Sequence, residues 1–340
     1  MEVVVGEDLQ IPKTGEQLPK VGISLEVKIT ISQSPQYHNL CVMKPYDVIL
    51  LTERRYESPQ EPDWFEQQIL TEDGYVIAAL EGYGLKTKRL NWATPDFDWS
   101  NTRLAVFRTT WDYFDKIGLF IPWLDHVATQ TELLNPYQLV RWNIDKHYLL
   151  DLQNRGVRII PTHVVERGEA CDLATQMTRF GNNELIVKPC IAGTARHAYR
   201  VNPENLEELQ AIFNMLVSEE AMLVQPFQQS VLERGEVSVV VIGTQARHAV
   251  LKVAKPGDFR VHDDFGGSVH AHEITPAERA LAERAVAACW PRPAYARVDL
   301  ILDSEGQPAI SELELVEPEL FFRFNPEAAG LLAKEILKQL

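Results

Sequence analysis

Several features that would place a chain in a common protein class are missing from these 340 residues. No apolar run approaches the roughly 18 residues that a transmembrane helix needs, which excludes such a helix. The four cysteines form no Cys-x-x-Cys pair, so their spacing favours reduced thiols in a cytoplasmic protein over a disulfide framework or a zinc site. Basic residues number 33 against 48 acidic ones, and the net charge of −15 argues against nucleic-acid binding and against docking on an anionic membrane.

Familiar catalytic and nucleotide-binding signatures are missing as well. There is no G-x-x-x-x-G-K-[ST] sequence, which excludes a P-loop, and no Ser/His/Asp or Cys/His arrangement indicates a covalent nucleophile. Gly82-Tyr-Gly84 has the spacing of half a dinucleotide fingerprint, but it ends a predicted helix instead of joining a strand to a helix. His270 and His272, with His262 nearby, form no H-E-x-x-H motif, and a polar loop is favoured over a metal site there.

The composition is that of a globular protein, with 45% hydrophobic and 24% charged residues, and the length suits about two domains. Residues 1–42 are interpreted as an N-terminal extension, because Met43 directly precedes a buried-type strand and would serve as a natural start. Within the extension, Ser24–Ser32 alternates weakly between apolar and polar residues and predicts an edge strand. The extension has no apolar core flanked by basic residues, so it is not a signal peptide.

The order of strand and helix patterns in residues 43–135 predicts a small open α/β domain. Asp63 is placed to cap its long helix, and Gly84 is placed just beyond the end of that helix. The predicted elements are strand Tyr46–Thr52, a helix from Trp64 to about Tyr83, strands Leu85–Leu90 and Arg103–Thr109, and helix Lys116–Gln130.

The chain from about Pro136 onwards changes character, and its last third predicts an antiparallel α+β arrangement. The predicted helices are Trp142–Asn154, Cys171–Phe180, Glu204–Val217, Pro276–Cys289 and a terminal helix. The predicted strands are Thr162–Glu166, Leu185–Lys188, Ala198–Val201, Met222–Phe227, Glu236–Ile242, Ala246–Val253, Ala294–Leu302 and Pro308–Leu315. The expected fold class is therefore a combination of α/β and α+β.

A phosphate-binding device is predicted around Lys188, which ends a strand and precedes a loop that holds Gly193 and Thr194. The ammonium group supplies a point charge, and the small residues let backbone N–H groups approach a phosphate. Lys146, early in the helix Trp142–Asn154, is a second candidate cation. A strand-terminal lysine taken alone is more often a surface residue, so this prediction depends on the groups that accompany it.

The segment Gln225-Pro226-Phe227 follows a strand, and Glu236 opens the next strand. A backbone segment stiffened by proline is able to hydrogen-bond the edge of an adenine ring. A carboxylate just beyond it is able to accept hydrogen bonds from ribose hydroxyls. Each of these features alone is a weak indication of nucleotide binding.

The carboxylates near the C-terminus give a sharper signal. Glu312 and Glu314 are two residues apart in a predicted strand and therefore point to the same face, and pairing with the preceding strand would bring Asp299 beside them. Three neighbouring carboxylates repel one another unless a cation neutralises them, and Mg²⁺ with substrate phosphates suits such a cluster. The alternative is that these glutamates form the solvent face of an amphipathic strand, since Leu313 and Leu315 alternate with them.

Arg108 and Asp112 are candidate substrate-binding residues, because they follow a strand at the carboxyl end where open α/β sheets bind ligands. Arg108 would pair with a substrate carboxylate and Asp112 would hold an amine. The alternative, given equal weight, is a tryptophan-rich corner that packs two domains together.

Read together, these residues resemble the ATP-grasp superfamily from about Pro136 to the C-terminus, with an α/β domain of the expected kind before it. The resemblance rests on the phrases RTTWDY, NPYQLVRWNIDKHYLLDL, VKPCIAGTARHAYRV, GEVSVVVI, FRVHDDFGGSV, YARVDL and ELELVEPELFF. They look like the branch that includes the cycloserine-forming O-ureido-serine cyclo-ligase and, more distantly, like glutathione synthetase and the ribosomal-protein glutamate ligase. The resemblance implies a pre-ATP-grasp domain at 43–135, a small lobe or lid at 136–227, and a large lobe with a metal site at 228–340.

The resemblance also implies a role for each candidate residue. It implies phosphate binding by Lys146 and Lys188, a lid at Gly193 and Thr194, adenine binding by Gln225 and Phe227, ribose binding by Glu236, and Mg²⁺ ligation by Asp299, Glu312 and Glu314. Many members have asparagine where this chain has Glu314, so the implied metal site carries one more negative charge here. The implied catalytic cations are Arg260, Lys188 and Arg297, with Gly266-Gly267 in the segment near the terminal phosphate, and Arg323 and Asn325 lie where relatives often contact substrate.

The implied function is an ATP- and Mg²⁺-dependent carboxylate–amine ligase that acts on a small amino-acid-like substrate through an acyl phosphate, with one or two Mg²⁺ ions or Mn²⁺ in their place. A cyclo-ligase, in which one substrate carries both reacting groups, is the first alternative. An ATP-binding regulatory protein without ligase turnover is the second. The expected partners are ATP and small-molecule substrates, with neither nucleic acid nor membrane, and a homo-oligomer is possible.

Overall fold

The computed structural model describes residues 44–261 and 266–340. The predicted strand Ser24–Ser32 and the hypothesis that residues 1–42 are an extension lie outside the described residues. The described chain forms three sheets, which fall within the predicted segments 43–135, 136–227 and 228–340, although the boundaries of those segments stay predictions. Within this described part, no helix combines the length and the apolar character that crossing a membrane requires.

The first sheet is parallel throughout, with strand order β2-β1-β3-β4. Its strands are β1 (Tyr46–Thr52), β2 (Thr87–Asn91), β3 (Thr102–Thr109) and β4 (Glu132–Leu134). The four residues Val48–Leu51 are all fully buried, as expected for a continuous apolar run in a parallel strand covered on both faces. The bounds predicted for β1 are confirmed, whereas β4, only three residues long, was not predicted.

Three helices accompany this sheet: α1 (Arg54–Glu57), α2 (Trp64–Glu81) and α3 (Ile117–Val127). The predicted cap of α2 is confirmed, because the Asp63 side chain accepts from the Glu66 N–H while the Glu66 side chain accepts from the Asp63 N–H. The helix ends at Glu81, two residues before the predicted end, and Gly84 follows with a φ of +79°, which favours glycine.

The predicted helix Trp142–Asn154 is wrong, because the chain forms two short helices with a break between them. The side chain of Asn143 donates to the Leu313 carbonyl of the last strand and accepts from the N–H of Leu315 just after it, both at 2.8 Å, which anchors the end of the first helix. After the break, the Lys146 N–H donates to the Cys190 carbonyl at 2.9 Å and not to a helical carbonyl. The two helices are α4 (Tyr137–Asn143) and α5 (Tyr148–Asn154).

The second sheet is antiparallel, with strand order β5-β8-β6-β7. Its strands are β5 (His163–Val165), β6 (Leu185–Pro189), β7 (Tyr199–Val201) and β8 (Met222–Pro226). Helices α6 (Leu173–Phe180) and α7 (Leu206–Glu219) pack on it, and they bury Leu173, Met177, Phe213 and Val217 against the strands. The sequence predicted each of these elements to within three residues.

The third sheet is also antiparallel, with strand order β11-β10-β9-β12-β13. Its strands are β9 (Glu236–Ile242), β10 (Gln245–Val253), β11 (Ser268–His272), β12 (Tyr295–Leu302) and β13 (Pro308–Glu314). The helices of this part are α8 (Ser230–Glu233), α9 (Pro276–Ala288) and α10 (Glu327–Leu337). The loop predicted at His270 and His272 is wrong, because both residues lie on the edge strand β11, whose free side tolerates polar side chains.

The third sheet carries apolar side chains on both faces. On β9, Val239 packs in the cluster that contains Ala285 of α9, whereas its neighbour Val240 packs with Leu80 of α2 and Leu332 of α10. This alternation is the period of two expected for a strand. The combination of one parallel and two antiparallel sheets with covering helices confirms the predicted fold class of α/β and α+β.

Candidate active site

One cleft collects most of the residues predicted to act in function. Its cavity has a volume of about 240 Å³ and is lined by strands of the second and third sheets, together with aromatic side chains of α2 and of the segment after β3. The predicted residues that line it are Lys146, Lys188, Gly193, Thr194, Gln225, Phe227, Glu236, Arg260, Arg297, Asp299, Glu312 and Glu314. Four others, Arg108, Asp112, Arg323 and Asn325, do not line it.

The two predicted phosphate lysines meet at one carboxylate. Lys146 Nζ lies 3.0 Å from Glu312 Oε1, and Lys188 Nζ lies 3.5 Å from Glu312 Oε2. Lys146, placed by the break between α4 and α5, is only 5% exposed and also donates to the Ala192 carbonyl. Burial alone would lower the pKa of Lys146, but Glu312 outweighs that effect and the pKa is raised. Lys146 is therefore a stable ammonium group inside the cleft.

The predicted carboxylate cluster is built on paired strands. Asp299 on β12 lies directly opposite Glu312 on β13, and Arg297 lies opposite Glu314, so strand pairing brings these side chains together as expected. The Arg297 guanidinium hydrogen-bonds both carboxylate oxygens of Asp299 at 2.9–3.2 Å and also hydrogen-bonds Glu314. Lys252 Nζ lies 3.5 Å from the same aspartate. The alternative that these glutamates form a solvent face does not hold, because all of them line the cleft.

These contacts set the ionisation of the cluster. Burial would raise the pKa of Asp299, but Arg297 and Lys252 outweigh it and hold the pKa well below its usual range. Burial also opposes ionisation of Glu312, yet the two phosphate lysines lower its pKa to about 2. Burial raises the pKa of Glu314 well above its ordinary value, although Arg297 opposes this. Asp299 and Glu312 are thus two ionised oxygen donors, the ligand type that Mg²⁺ prefers, and Glu314 fits less well.

The loop between β6 and β7 runs along the cleft. Thr194 and His197 have φ angles of +44° and +50°, a left-handed backbone that residues other than glycine seldom adopt. Left-handed residues are a feature of the backbone nests that bind anions. A Cβ at Gly193 would lie 2.5 Å from Phe114 Cε1, so only glycine fits against that ring.

The predicted adenine and ribose residues also line the cleft. Gln225 on β8 donates from Nε2 to Thr162 Oγ1 at 2.8 Å. The ring of Phe227 is 5% exposed and lies 4.0 Å from the guanidinium carbon of Arg200. Glu236, the first residue of β9, forms a 2.6 Å ion pair with the lysine of β10.

Arg260 reaches the cleft from the segment after β10. Its guanidinium forms a two-point contact with Asp258, at 2.7 Å from Nη2 to Oδ2 and 3.0 Å from Nε to Oδ1. Residues 262–265 lie outside the described part of the chain, which resumes at Gly266, with a φ of +79°. The structure therefore brings Arg260 to the cleft with Lys188 and Arg297, the three cations predicted to act in catalysis.

Arg108 and Asp112 lie away from the cleft lining, contrary to the substrate role predicted for them. Arg108 is 1% exposed, with Nη2 2.5 Å from Glu72 and Nε 2.9 Å from Asp73. Asp112 accepts from the indole N–H of Trp92 at 2.7 Å. The charge of Arg108 is already compensated and shielded from solvent, so the alternative of a tryptophan-rich packing corner describes this region.

Arg323 and Asn325 also stand outside the cleft lining. Arg323 forms an ion pair with Glu319, which does line the cleft, and its guanidinium lies 5.1 Å from the ring of Phe321. Asn325 ends a short 3₁₀ turn, with its N–H bonded to the Phe322 carbonyl. Their predicted contact with substrate stays a prediction.

Several cleft residues were not predicted from the sequence. Lys252 is 3% exposed on β10, and its signal was a charge within the apolar end of the strand, between Leu251 and Val253. Glu317 lies just beyond β13 and continues the acidic pattern of that strand. Phe65, Trp111 and Phe114 also line the cleft, and only Trp111 fell within a phrase that carried the resemblance.

Two protein-family models match separate parts of the chain. The model described as the N-terminal domain of D-cycloserine synthetase DcsG matches residues 48–135. The model described as the ATP-grasp domain of prokaryotic glutathione synthetase matches residues 155–290. The first match covers the first sheet, and the second covers the second sheet together with β9 to β11 and α9.

Similar proteins were found by sequence and by structure. The cycloserine biosynthesis protein DcsG of Streptomyces lavendulae is 28% identical over 276 residues, which cover 78% of this chain and 92% of that protein. The crystal structure of D-cycloserine synthetase DcsG has a TM-score of 0.75 at 27% identity and covers 86% of this chain and 99% of that one. D-alanine–D-alanine ligase from Bacillus anthracis has a TM-score of 0.58 at 14% identity, covering 86% and 95% of the two chains. The likeness therefore extends over the first sheet and over the two sheets that line the cleft.

Proposed function

This chain belongs to the ATP-grasp ligases, with the α/β domain expected before the ATP-grasp fold, and we propose which reaction its cleft performs. Enzymes of this family form C–N bonds at the expense of ATP and generally use Mg²⁺. We propose that a small amino-acid-like substrate is activated at its carboxylate by ATP. An amine then displaces phosphate from the resulting acyl phosphate, which releases ADP and phosphate and leaves an amide-type bond.

The observation that supports this proposal is the meeting of Lys146, Lys188 and Glu312. These residues come from the α4–α5 break, from β6 and from β13, and both lysine Nζ atoms lie within 3.5 Å of one carboxylate. Two cations at this point suit the phosphates of ATP, and a carboxylate between them suits the metal that accompanies those phosphates. A binding protein without turnover would have no need for that combination.

The chemistry requires charge compensation more than a nucleophile from the protein. The attack of the substrate carboxylate on the γ-phosphate builds negative charge, which Lys188, Arg260 and Arg297 would offset from fixed positions. Asp299 and Glu312 would hold Mg²⁺, with Glu314 as the third predicted ligand, and bound Mg²⁺ neutralises phosphate oxygens. The loop at Gly193 and Thr194 would cover the phosphates and keep water from the acyl phosphate.

The nucleotide base and sugar would contact Gln225, Phe227 and Glu236. Phe227 contributes an apolar side chain to the lining, and the Glu236 carboxylate offers an acceptor for ribose hydroxyls. The phosphates would then reach Lys146 and Lys188, which line the same cavity.

A cyclo-ligase is the second candidate function. The comparisons favour it over an intermolecular ligase of the D-alanine–D-alanine type. The structural likeness to D-cycloserine synthetase, with a TM-score of 0.75, exceeds the 0.58 found for D-alanine–D-alanine ligase. In the cyclo-ligase reaction, one substrate supplies both the carboxylate and the nitrogen nucleophile. We therefore propose O-ureido-serine as the first substrate to test.

The experiment measures ADP release with MgATP and both enantiomers of O-ureido-serine, and with a panel of amino acids given singly and in pairs. Dependence on one compound supports the cyclo-ligase, whereas dependence on two supports an intermolecular ligase. Lys188→Ala and Glu312→Gln should each abolish ADP release while leaving the fold intact, as far-ultraviolet circular dichroism would show. Glu305→Gln is the matched control, because Glu305 has a side chain that is 71% exposed and pairs with Arg158 outside the cleft.

Two results would contradict the proposal. Retained turnover in Lys188→Ala or Glu312→Gln would remove these residues from the active site. Tight MgATP binding with no ADP release for any compound would support the alternative of an ATP-binding regulatory protein.

A further inference from the structure

The cleft has one region of mixed aromatic and acidic character, which we name the aromatic end and define by Phe65, Trp111, Phe114, Phe321 and Glu317. The rings of Phe65 and Trp111 are in contact, with centroids 5.9 Å apart. The indole N–H of Trp111 donates to the backbone carbonyl of Glu317 at 2.8 Å, which ties the aromatic wall to the segment after β13. Glu317 thus lies beside Trp111 through its backbone and beside Tyr113 through its carboxylate, and it lines the same cavity as the candidate phosphate lysines.

Glu317 differs from the other carboxylates of the cleft in its partners. Its side chain forms no ion pair within the described ranges 44–261 and 266–340, and it is instead hydrogen-bonded by the buried hydroxyl of Tyr113. The other cleft carboxylates form these ion pairs: Glu236 with Lys252, Asp299 with Lys252 and Arg297, Glu312 with Lys146 and Lys188, Glu314 with Arg297, and Glu319 with Arg323. Within the described ranges, Glu317 is therefore the cleft carboxylate without a direct ion pair, and Lys146 and Arg297 act on it only through their fields.

A single carboxylate among aromatic rings is complementary to an organic cation. An ammonium group donates charge-assisted hydrogen bonds to the carboxylate, and the faces of aromatic rings attract the same positive charge. A phosphate or a second carboxylate would be repelled there. Burial raises the pKa of Glu317 to about 7, although Lys146 opposes this, and a bound cation would favour the ionised form.

We infer that Glu317 and the aromatic end bind the ammonium group of the substrate. The substrate is then a zwitterion, whose carboxylate lies toward the phosphate lysines and whose ammonium group lies toward Trp111. This inference rests on the proposed ligase function, because it takes the cleft as the place where a carboxylate substrate binds beside ATP. It adds that the enzyme selects carboxylate substrates by their ammonium group.

The test uses two compounds that differ only in the ammonium group. O-ureido-serine carries it, and 3-(ureidooxy)propanoate keeps the carboxylate and the ureido group but lacks the amine. Calorimetry measures the binding of each compound to the protein saturated with AMPPNP and Mg²⁺, and ADP release is measured in parallel with ATP. Wild-type protein should bind O-ureido-serine about 10- to 100-fold more tightly, the range of a hydrogen bond between charged groups.

Glu317→Gln should weaken the binding of O-ureido-serine by about 10- to 100-fold and leave that of 3-(ureidooxy)propanoate within about twofold. Its melting temperature and its affinity for AMPPNP should match those of wild type, which shows that the cleft is intact. Glu305→Gln, a surface substitution of the same chemistry, should change neither affinity.

Several outcomes overturn the inference. In Glu317→Gln, these are an equal loss of affinity for both compounds and no loss of affinity for either. A lowered kcat with unchanged affinities would also overturn it, because Glu317 would then be a general base. Failure of both compounds to bind wild type overturns it as well. Ammonium-dependent binding without ADP release would instead refute the ligase proposal and leave the ammonium site standing, so the two proposals fail separately.

Discussion

Arg108→Ala should destabilise the protein strongly, because Arg108 belongs to a buried ion network. Its guanidinium lies 2.5 Å from Glu72 and 2.9 Å from Asp73, and these three residues are 1%, 6% and 1% exposed. Glu72 also accepts the backbone N–H groups of Leu320 at 2.8 Å and Phe322 at 3.1 Å. Removing one partner of a buried ion pair costs about 3–5 kcal/mol, and here Glu72 loses its cation partner, whereas Asp73 keeps Arg89 at 2.8 Å. We expect the free energy of unfolding to fall by about that amount.

Urea unfolding followed by tryptophan fluorescence measures this loss. Arg103→Ala is the matched control, because the Arg103 side chain is 41% exposed and its ion pair with Asp47 should contribute only about 0–1 kcal/mol. Where both variants remain folded, Arg108→Ala should leave the KM for the substrate close to that of wild type. A stability loss below about 1 kcal/mol together with a raised KM would refute this reasoning and restore the substrate role predicted from the sequence.

Three further predictions concern single positions. Gly193→Ala should raise the KM for ATP, because the new Cβ would lie 2.5 Å from the Phe114 ring, and adding Phe114→Leu should restore it in steady-state assays. Glu53→Gln should raise the free energy of unfolding at pH 8 but not at pH 4, as urea titrations would show. Burial raises the pKa of Glu53 from 4.5 to about 7, so the folded state keeps a proton that the unfolded state loses, and stability falls as pH rises through that range. Glu314→Asn should retain Mg²⁺-dependent ADP release, and a loss as complete as that of Glu312→Gln would contradict this.

Features that depend on local chemistry or on simple periodicity were predictable from the sequence. The bounds of β1 and β9 follow from apolar runs bounded by charged residues, and the cap of α2 follows from Asp63 and Glu66. The opposition of Asp299 and Glu312 follows from the two-residue period of strands once β12 and β13 are taken as neighbours. These predictions needed no knowledge of distant contacts.

Features decided by distant partners were not predictable. The helix predicted over Trp142–Asn154 breaks because Asn143 bonds the backbone of a strand that lies 170 residues further along the chain. Arg108 has a guanidinium group that is suited to binding a substrate carboxylate. Its actual partners, Glu72 and Asp73, lie on a helix whose polar residues would be expected to face solvent. Only the folded structure shows that this arginine and these acids compensate one another.

The shared contact of Lys146 and Lys188 with Glu312 makes a prediction about how ATP and its metal bind. Phosphates that approach these lysines must displace Glu312 from them. The displaced carboxylate is ionised and lies beside the negative phosphates, which is unfavourable unless a metal cation binds it. Wild-type protein should therefore bind metal-free ATP weakly and MgATP far more tightly. Glu312→Gln should bind metal-free ATP more tightly than wild type, because the amide does not repel phosphates. It should bind MgATP less tightly, because the amide does not attract the cation. Calorimetry with ATP in EDTA and in Mg²⁺ measures both affinities, and tighter binding of metal-free ATP by the variant is the decisive sign. An unchanged ratio between the two affinities would mean that Glu312 holds the lysines in place and takes no part in binding the metal.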